Sequence, residues 1–161
     1  MAANKSIVKY TDASYDSEKY SQFSLNDKET MDFEMAFRTK TYQVHRQVLE
    51  RKSYFQRMIK NMTSSFVRVH QPDISALIFE IYVRYTYSGE ISLDRNNVTD
   101  VAKAANILSD DELLEHCENF FIDNLQHFQS SDLNYLAHVV NMPELARRLE
   151  ASVWNLENFM H

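Results

Sequence analysis

Catalysis by side chains requires a nucleophile or a metal ion held beside an acid–base group. The 161-residue chain carries one cysteine, six histidines and one glycine. It has no HExxH, CxxC or GxSxG run, and its single glycine rules out a glycine-rich phosphate loop of the usual form. His116 and Cys117 are adjacent, but neighbours on a helix point about 100° apart. They would not act on one atom, and Cys117 reads as a core residue. No catalytic residue, metal ligand or cofactor site is therefore expected, and the chain is not expected to be an enzyme. What remains are acids, bases, tyrosines and methionines suited to contacts with other proteins.

The elements that must position such residues start from residues 32–49, DFEMAFRTKTYQVHRQVL. Phe33, Met35 and Phe37 alternate with Asp32, Glu34, Ala36 and Arg38, the period of a strand with one buried face. Arg38, Thr39 and Lys40 turn the chain, and Tyr42 and Val44 resume the alternation, so the pair reads as a hairpin. At His45 the period changes to a helical one, with Val48 and Leu49 beginning an apolar stripe. A short helix over 46–52 is followed by a second from Ser53, with Phe55, Met58 and Ile59 on one face. Residues 66–70 read as a third short strand. Ser75 is placed to cap a helix with Leu77, Ile78, Ile81, Tyr82 and Tyr85 on its buried stripe, and Gly89 to end it in a left-handed conformation.

Before the hairpin, residues 1 to about 14 read as a loose arm in which Ile7 and Val8 could add an edge strand. Tyr15 to Leu25 is a weak helix candidate. After Gly89, Asn96 and Asn97 lead a helix with Val98, Val101, Ala102, Ala105 and Leu108 inward. Ser109 to Glu112 has the spacing of a capping box and opens a helix bearing Leu113, Leu114, Cys117, Phe121 and Leu125. Ser130 to Asp132 caps another, with Leu133, Leu136, Ala137 and Val140. Pro143 starts the last, striped by Leu145, Leu149, Val153 and Leu156.

This length accommodates one domain, or one domain and part of a second. Hydrophobic residues at 44%, with 12% aromatic, supply a core. A net charge of -6 argues against nucleic acid or an anionic membrane as the main partner. No apolar run approaches the ~20 residues of a membrane span, and residues 1–20 lack a signal-peptide hydrophobic region. A lone cysteine fits a reducing compartment, so a cytoplasmic or nuclear location is expected.

Strand, turn, strand and a helix opening on His-Arg-x-Val-Leu resemble the BTB/POZ family. So do DISALIFEIYVRYTYSGEI (residues 73–91) and AANILSDDELLEHCENFFIDNL (residues 104–125), and the last two helices resemble the start of the BACK region that follows many BTB domains. Departures are Thr39 where the family often has glycine, Ser88 for the usual threonine, and a His45-to-Tyr54 spacing one residue short. The resemblance implies an α/β BTB/POZ fold, a small mixed sheet of short strands surrounded by helices, with a C-terminal helical hairpin. The domains would be an N-terminal arm at 1–19, the BTB/POZ domain at 20–127, and the start of a BACK-like helical region at 128–161.

It also implies function. His45 would be structural. Asp32 and Arg46 match the acid and base of a charged pocket at the dimer centre in BTB repressors; a plain structural ion pair is the alternative. Tyr20 and Phe23 would belong to a first helix that contacts the partner copy in a homodimer. Tyr54, Met58, Met62 and Ser64 fall where BTB adaptors meet cullin-3, with Ser64 in place of the family's glutamate; the alternative is that Tyr54 and Met58 pack inside. The expected role is a kelch-type ubiquitin-ligase adaptor that binds its substrate through a part outside this chain. The runner-up is a BTB scaffold or transcription-associated protein that self-associates without a cullin.

Overall fold

Two small sheets carry the strands, and eight helices enclose them in the computed structural model, which describes residues 7–159, with side chains to 152. The hairpin falls where the alternation places it: β2 (Phe33–Phe37) and β3 (Lys40–Val44) pair antiparallel. After α2 (Arg46–Leu49) and α3 (Ser53–Ile59), β4 (Phe66–Val69) returns parallel to β2 on its other side. The mixed sheet therefore has the order β3-β2-β4. Arg38 rather than Thr39 takes the left-handed conformation in the turn, at φ 53. Its guanidinium donates to the carbonyls of Pro72 and Ile74 at 2.9 and 2.8 Å, tying hairpin tip to the entry of the next helix. Ala36, placed by its period on the open face, is buried. Its cross-strand neighbours there are Thr41 and Arg68, whose longer side chains cover it.

The second sheet holds β1 (Ile7–Thr11) antiparallel to β5 (Glu90–Asp94). The edge strand that Ile7 and Val8 could add is present and extends to Thr11, so this part of the expected loose arm is paired, and Ile91 and Leu93 alternate inward in β5, a strand absent from the sequence expectation. The helix read over Tyr15 to Leu25 shrinks to α1 (Ser17–Tyr20), capped by Asp16. Beyond it, Ser24 accepts from the Asn26 amide at 3.1 Å, and such local bonds favour turns over helix.

Helix α4 (Ala76–Ser88) runs through the core, capped by Ser75 and closed by Gly89 at φ 71. A Cβ on Gly89 would also lie 2.3 Å from the Tyr15 ring, so space and backbone both demand glycine. Of the expected stripe Ile78, Tyr82 and Tyr85 are buried and Ile81 is half-buried, but Leu77 is 66% exposed, and Phe79, Val83 and Thr86 complete the buried face in its place. The aromatic partners set the phase. Phe79 stacks on Phe37 of β2 at 4.0 Å and meets Tyr42 of β3 and Phe55 of α3 edge-on at 5.8 and 6.3 Å.

Two helical hairpins complete the chain: α5 (Val98–Ile107) with α6 (Asp111–Asp123), then α7 (Ser130–Val139) with α8 (Pro143–Phe159). A 3-10 turn, Leu125–His127, joins the pairs. The cap of α6 is Asp110, whose carboxylate accepts from the Leu113 amide at 3.1 Å. Ser109, read as the cap, instead turns the chain at φ 54. Leu145 and Leu149 are buried as expected, while Val153 and Leu156 lie outside the residues whose side chains are described.

Removal of the ring at the three-aromatic junction, Phe79→Ala, should cost ~3–5 kcal/mol of unfolding free energy. Leu77→Ala on the same helix should stay within ~0.5 kcal/mol. Urea unfolding followed by circular dichroism measures both, and a comparable loss in the two variants would show the helix to be phased otherwise.

Candidate functional site

Asp32 ends the loop before β2, and Arg46 opens α2 immediately after β3, so pairing of the hairpin brings them together. Their contact runs through the backbone. An Asp32 carboxylate oxygen accepts from the Arg46 amide at 2.8 Å, a cap for the helix start. The guanidinium turns away, to Glu50 at 2.8 Å and the Ile59 carbonyl at 3.3 Å. The alternative of a strand-to-helix ion pair is therefore corrected: Asp32 anchors the helix through the Arg46 amide, while the Arg46 guanidinium pairs with Glu50. Both groups lie at the surface, with Asp32 exposed and Arg46 half-buried.

His45, between them in space, is buried. Its backbone N–H donates to the Tyr87 hydroxyl at 2.7 Å, and that hydroxyl lies 2.8 Å from Nδ1. On the other side of the ring Nε2 lies 2.7 Å from Thr30 Oγ1, so each ring nitrogen has one hydrogen-bond partner. Burial, partly opposed by the His45 amide, pushes the Tyr87 hydroxyl up to about 12. His45 is a structural joint, with both nitrogens engaged inside the fold.

The expected dimer residues separate. Tyr20 is buried in its own chain beside Tyr15 and the Arg51 guanidinium, 5.9 and 5.7 Å away, so it does not present a free surface. Phe23 is half-buried against the His45 ring at 5.0 Å. Of the expected pair, Phe23 alone retains a partly open face.

Helix α3 brings together the cullin candidates. Tyr54 and Met58 lie one turn apart, and Met62 continues the row in the turn after Ile59; all three are half-buried against the core. The Tyr54 hydroxyl accepts from Gln71 at 3.1 Å. Ser64 is exposed, and its Oγ accepts from the Phe66 amide at 3.2 Å, which sets the turn into β4. Phe66, 40% exposed, was not singled out from the sequence although it flanks this row. Nor were Tyr135 and Val139. They stand one turn apart on the face of α7 opposite its buried leucines and, with Ile107, line an open groove of about 460 Å³ between α5 and α7.

The largest omission is a buried charge cluster. One Asp12 oxygen accepts from Arg51 and Lys52 at 2.7 and 2.8 Å, and the other accepts from Ser14 Oγ at 2.6 Å. Lys52 also reaches Asp110 at 3.0 Å, which accepts from the Tyr82 hydroxyl at 2.9 Å. Arg51 donates further to the Thr86 carbonyl at 2.9 Å. Desolvation works to raise the Asp12 carboxyl, but the bonds from Lys52, Ser14 and Arg51 outweigh it and hold the group well below the usual carboxylate range. A second buried acid, Glu118 of α6, accepts from the Glu144 and Leu145 amides at 3.1 and 3.2 Å and so caps α8.

Cys117 is fully buried, its thiol pushed far up by desolvation and the nearby Asp110 charge. Among the described residues no group of three potential metal ligands converges, and no helix is long and apolar enough to cross a membrane.

A family model described as the BTB/POZ domain matches residues 21–125. Kelch repeat and BTB domain-containing protein 4 of Homo sapiens is 25% identical over 149 residues, 85% of this chain and 28% of that protein. Kelch-like protein 31 of Homo sapiens is 28% identical over 137 residues, 83% of this chain and 20% of that protein. The chain thus spans a quarter or so of these relatives. Among solved structures, the BTB domain of human gigaxonin aligns with a TM-score of 0.51 and 21% identity, over 57% of this chain and 78% of that one. The BTB domain of zebrafish PATZ1 gives 0.50 and 18%, over 58% and 77%. These likenesses show a shared fold.

Asp12→Asn should cost ~3–5 kcal/mol, because it leaves Arg51 buried without its counter-charge and Lys52 with Asp110 alone. The pH dependence follows from the lowered carboxyl. Asp12 stabilises fully above the unfolded-chain value of about 4, and its contribution fades as pH falls through the native value below that. Urea midpoints between pH 7 and pH 2 should therefore fall less steeply in Asp12→Asn than in the native chain. Parallel curves would show that the cluster does not carry the acid sensitivity.

Proposed function

Because the chain belongs to the BTB/POZ domain family, we propose that it is a non-enzymatic protein-interaction module, the dimerising and cullin-3-recruiting part of a ubiquitin-ligase adaptor. The observation that carries the proposal is the attachment of a helical hairpin to the BTB domain. Glu118 fixes the start of α8 on α6, and the α5–α7 groove opens beside Ile107, Tyr135 and Val139. The cullin contact would run from Met58, Met62 and Phe66 to that groove. Similarity to kelch-type proteins over 85% of the chain supports a substrate-binding part elsewhere in the protein. Phe23, with Asp32 and Arg46 at the neighbouring surface, would face the second copy about a two-fold axis. A cytoplasmic or nuclear setting belongs to the same proposal.

One observation favours the scaffold alternative. Ser64 bonds to its own turn where a cullin-binding adaptor of the family presents glutamate. Its short side chain offers neither reach nor charge, so native affinity for a cullin should be below that of a full signature.

The test combines mass and heat. Light scattering at micromolar concentrations should give a dimer. Titration calorimetry with the cullin-3 N-terminal domain should show binding that Met62→Ala weakens by ~2 kcal/mol, about thirtyfold, and that Ser64→Glu strengthens. A dimer that gives no heat with either the native chain or Ser64→Glu would select the self-associating scaffold.

A further inference from the structure

The β3-β2-β4 sheet has two open edges, and the β3 edge borders a groove of about 320 Å³. One wall is the segment before β2, with Leu25, Lys28 and Met31; the other is α4, with Glu80, Val83 and Arg84. Phe37 pairs with Lys40 across a two-residue turn. Hydrogen-bonded pairs of the hairpin therefore fall at Lys40, Tyr42 and Val44. The N–H and C=O groups of Thr41 and Gln43 point the other way, out of the sheet, and both residues line the groove. Among the described residues, neither main chain finds a partner outside the hairpin.

An open edge is a template for one more strand. Here the edge lies in a groove with walls. Its apolar side is built from Leu25, Met31, Tyr42 and Val83, while Lys28, Lys40 and Arg84 stand against the single acid Glu80. Glu80 already holds Lys40 at 2.7 Å and Arg84 at 3.8 Å. An excess of positive charge in a chain of net charge -6 is a local feature that selects its occupant. Two copies of this chain meeting edge to edge would set two grooves with the same positive excess side by side. Like charges so placed oppose such a pairing.

We propose that this groove takes up an extended acidic segment of a partner protein as a fourth strand on β3. Its main chain would pair with Thr41 and Gln43. Alternate side chains would be apolar, toward Val83 and Met31, and acidic, toward Lys28, Lys40 and Arg84. None of Phe23, Tyr54, Met58 or Met62 lines the groove, so the contact is separate from both the dimer and the cullin surfaces proposed above.

The probe is a blocked seven-residue peptide alternating glutamate and valine, titrated into the full chain by calorimetry. It should bind, and its lysine–valine counterpart should bind at least about tenfold more weakly. Gln43→Pro removes an outward N–H, which an edge strand tolerates, and should abolish binding while leaving the circular dichroism unchanged. Arg84→Glu should weaken it by about tenfold or more. N-methylation of alternate peptide amides tests strand pairing without altering the protein, and should abolish binding if Gln43→Pro fails to fold. Absence of binding, equal binding of acidic and basic peptides, or indifference to N-methylation would overturn the proposal. Self-association that disappears in Gln43→Pro would overturn it in favour of a second copy.

Discussion

Asp12 is the constraint on which the assembled fold depends. Its carboxylate lies where four elements converge: the end of β1, the α2–α3 turn through Arg51 and Lys52, the last turn of α4 through the Thr86 carbonyl, and the α6 cap through Lys52 and Asp110. Two acids and two bases balance, and nearly every oxygen and proton finds a partner. Burying each ion costs several kcal/mol, so the cluster is weak evidence for stability in itself. Its effect is on arrangement. A shift of β1 along β5 would strand Arg51 in the interior without its counter-charge and leave Lys52 with Asp110 alone, so the ionic contacts fix one register. Gly89 acts in the same corner, where its carbonyl accepts the Asp12 amide at 2.6 Å and its bare Cα admits Tyr15.

The hairpin was legible because its signal is local. Alternation, a two-residue turn and a change of period at His45 occupy a few residues, and tertiary packing agrees with all of them. The inward faces of α5 and α6 were legible for the same reason. Helix α4 was legible in part: Ile78, Tyr82 and Tyr85 were placed inward, but Leu77 and Ile81 weigh as much as Phe79 and Val83 in any hydrophobic stripe. The choice between the faces was made by Phe37, Tyr42 and Phe55, which arrive from other elements. Strand β5 was missed although Ile91 and Leu93 alternate, because it is short and its partner β1 lies at the opposite end of the domain in sequence.

Polar roles were less legible still. Asp32 and Arg46 were correctly singled out as neighbours, but which atom of Arg46 the carboxylate meets depends on the angle at which α2 leaves β3. The spacing of Asp12, Arg51, Lys52 and Asp110 along the chain follows no periodicity, because they come from three separate places, the end of β1, the α2–α3 turn and the α6 cap, and only the finished packing unites them. Nothing in the spacing of α6 singles out Glu118, whose carboxylate is buried only because α8 docks its first turn against it. Thus the apolar pattern announces elements, while buried acids announce joints between elements and are visible only once the joints close.

The pairing of β1 with β5 also orders events in time. A ribosome releases Asp12 long before it releases Leu93 or Asp110, and folding generally follows synthesis from the leading end. Until Leu93 and Asp110 emerge, then, β1 has neither its sheet partner nor its complete charge cluster, and β2, β3 and α4 must collapse without it. A strand kept waiting is an exposed edge. Contacts of such long sequence separation form slowly, since a large loop must close before they reward it. The leading strand would therefore be the last to dock and the segment of the nascent chain most in need of a chaperone's cover.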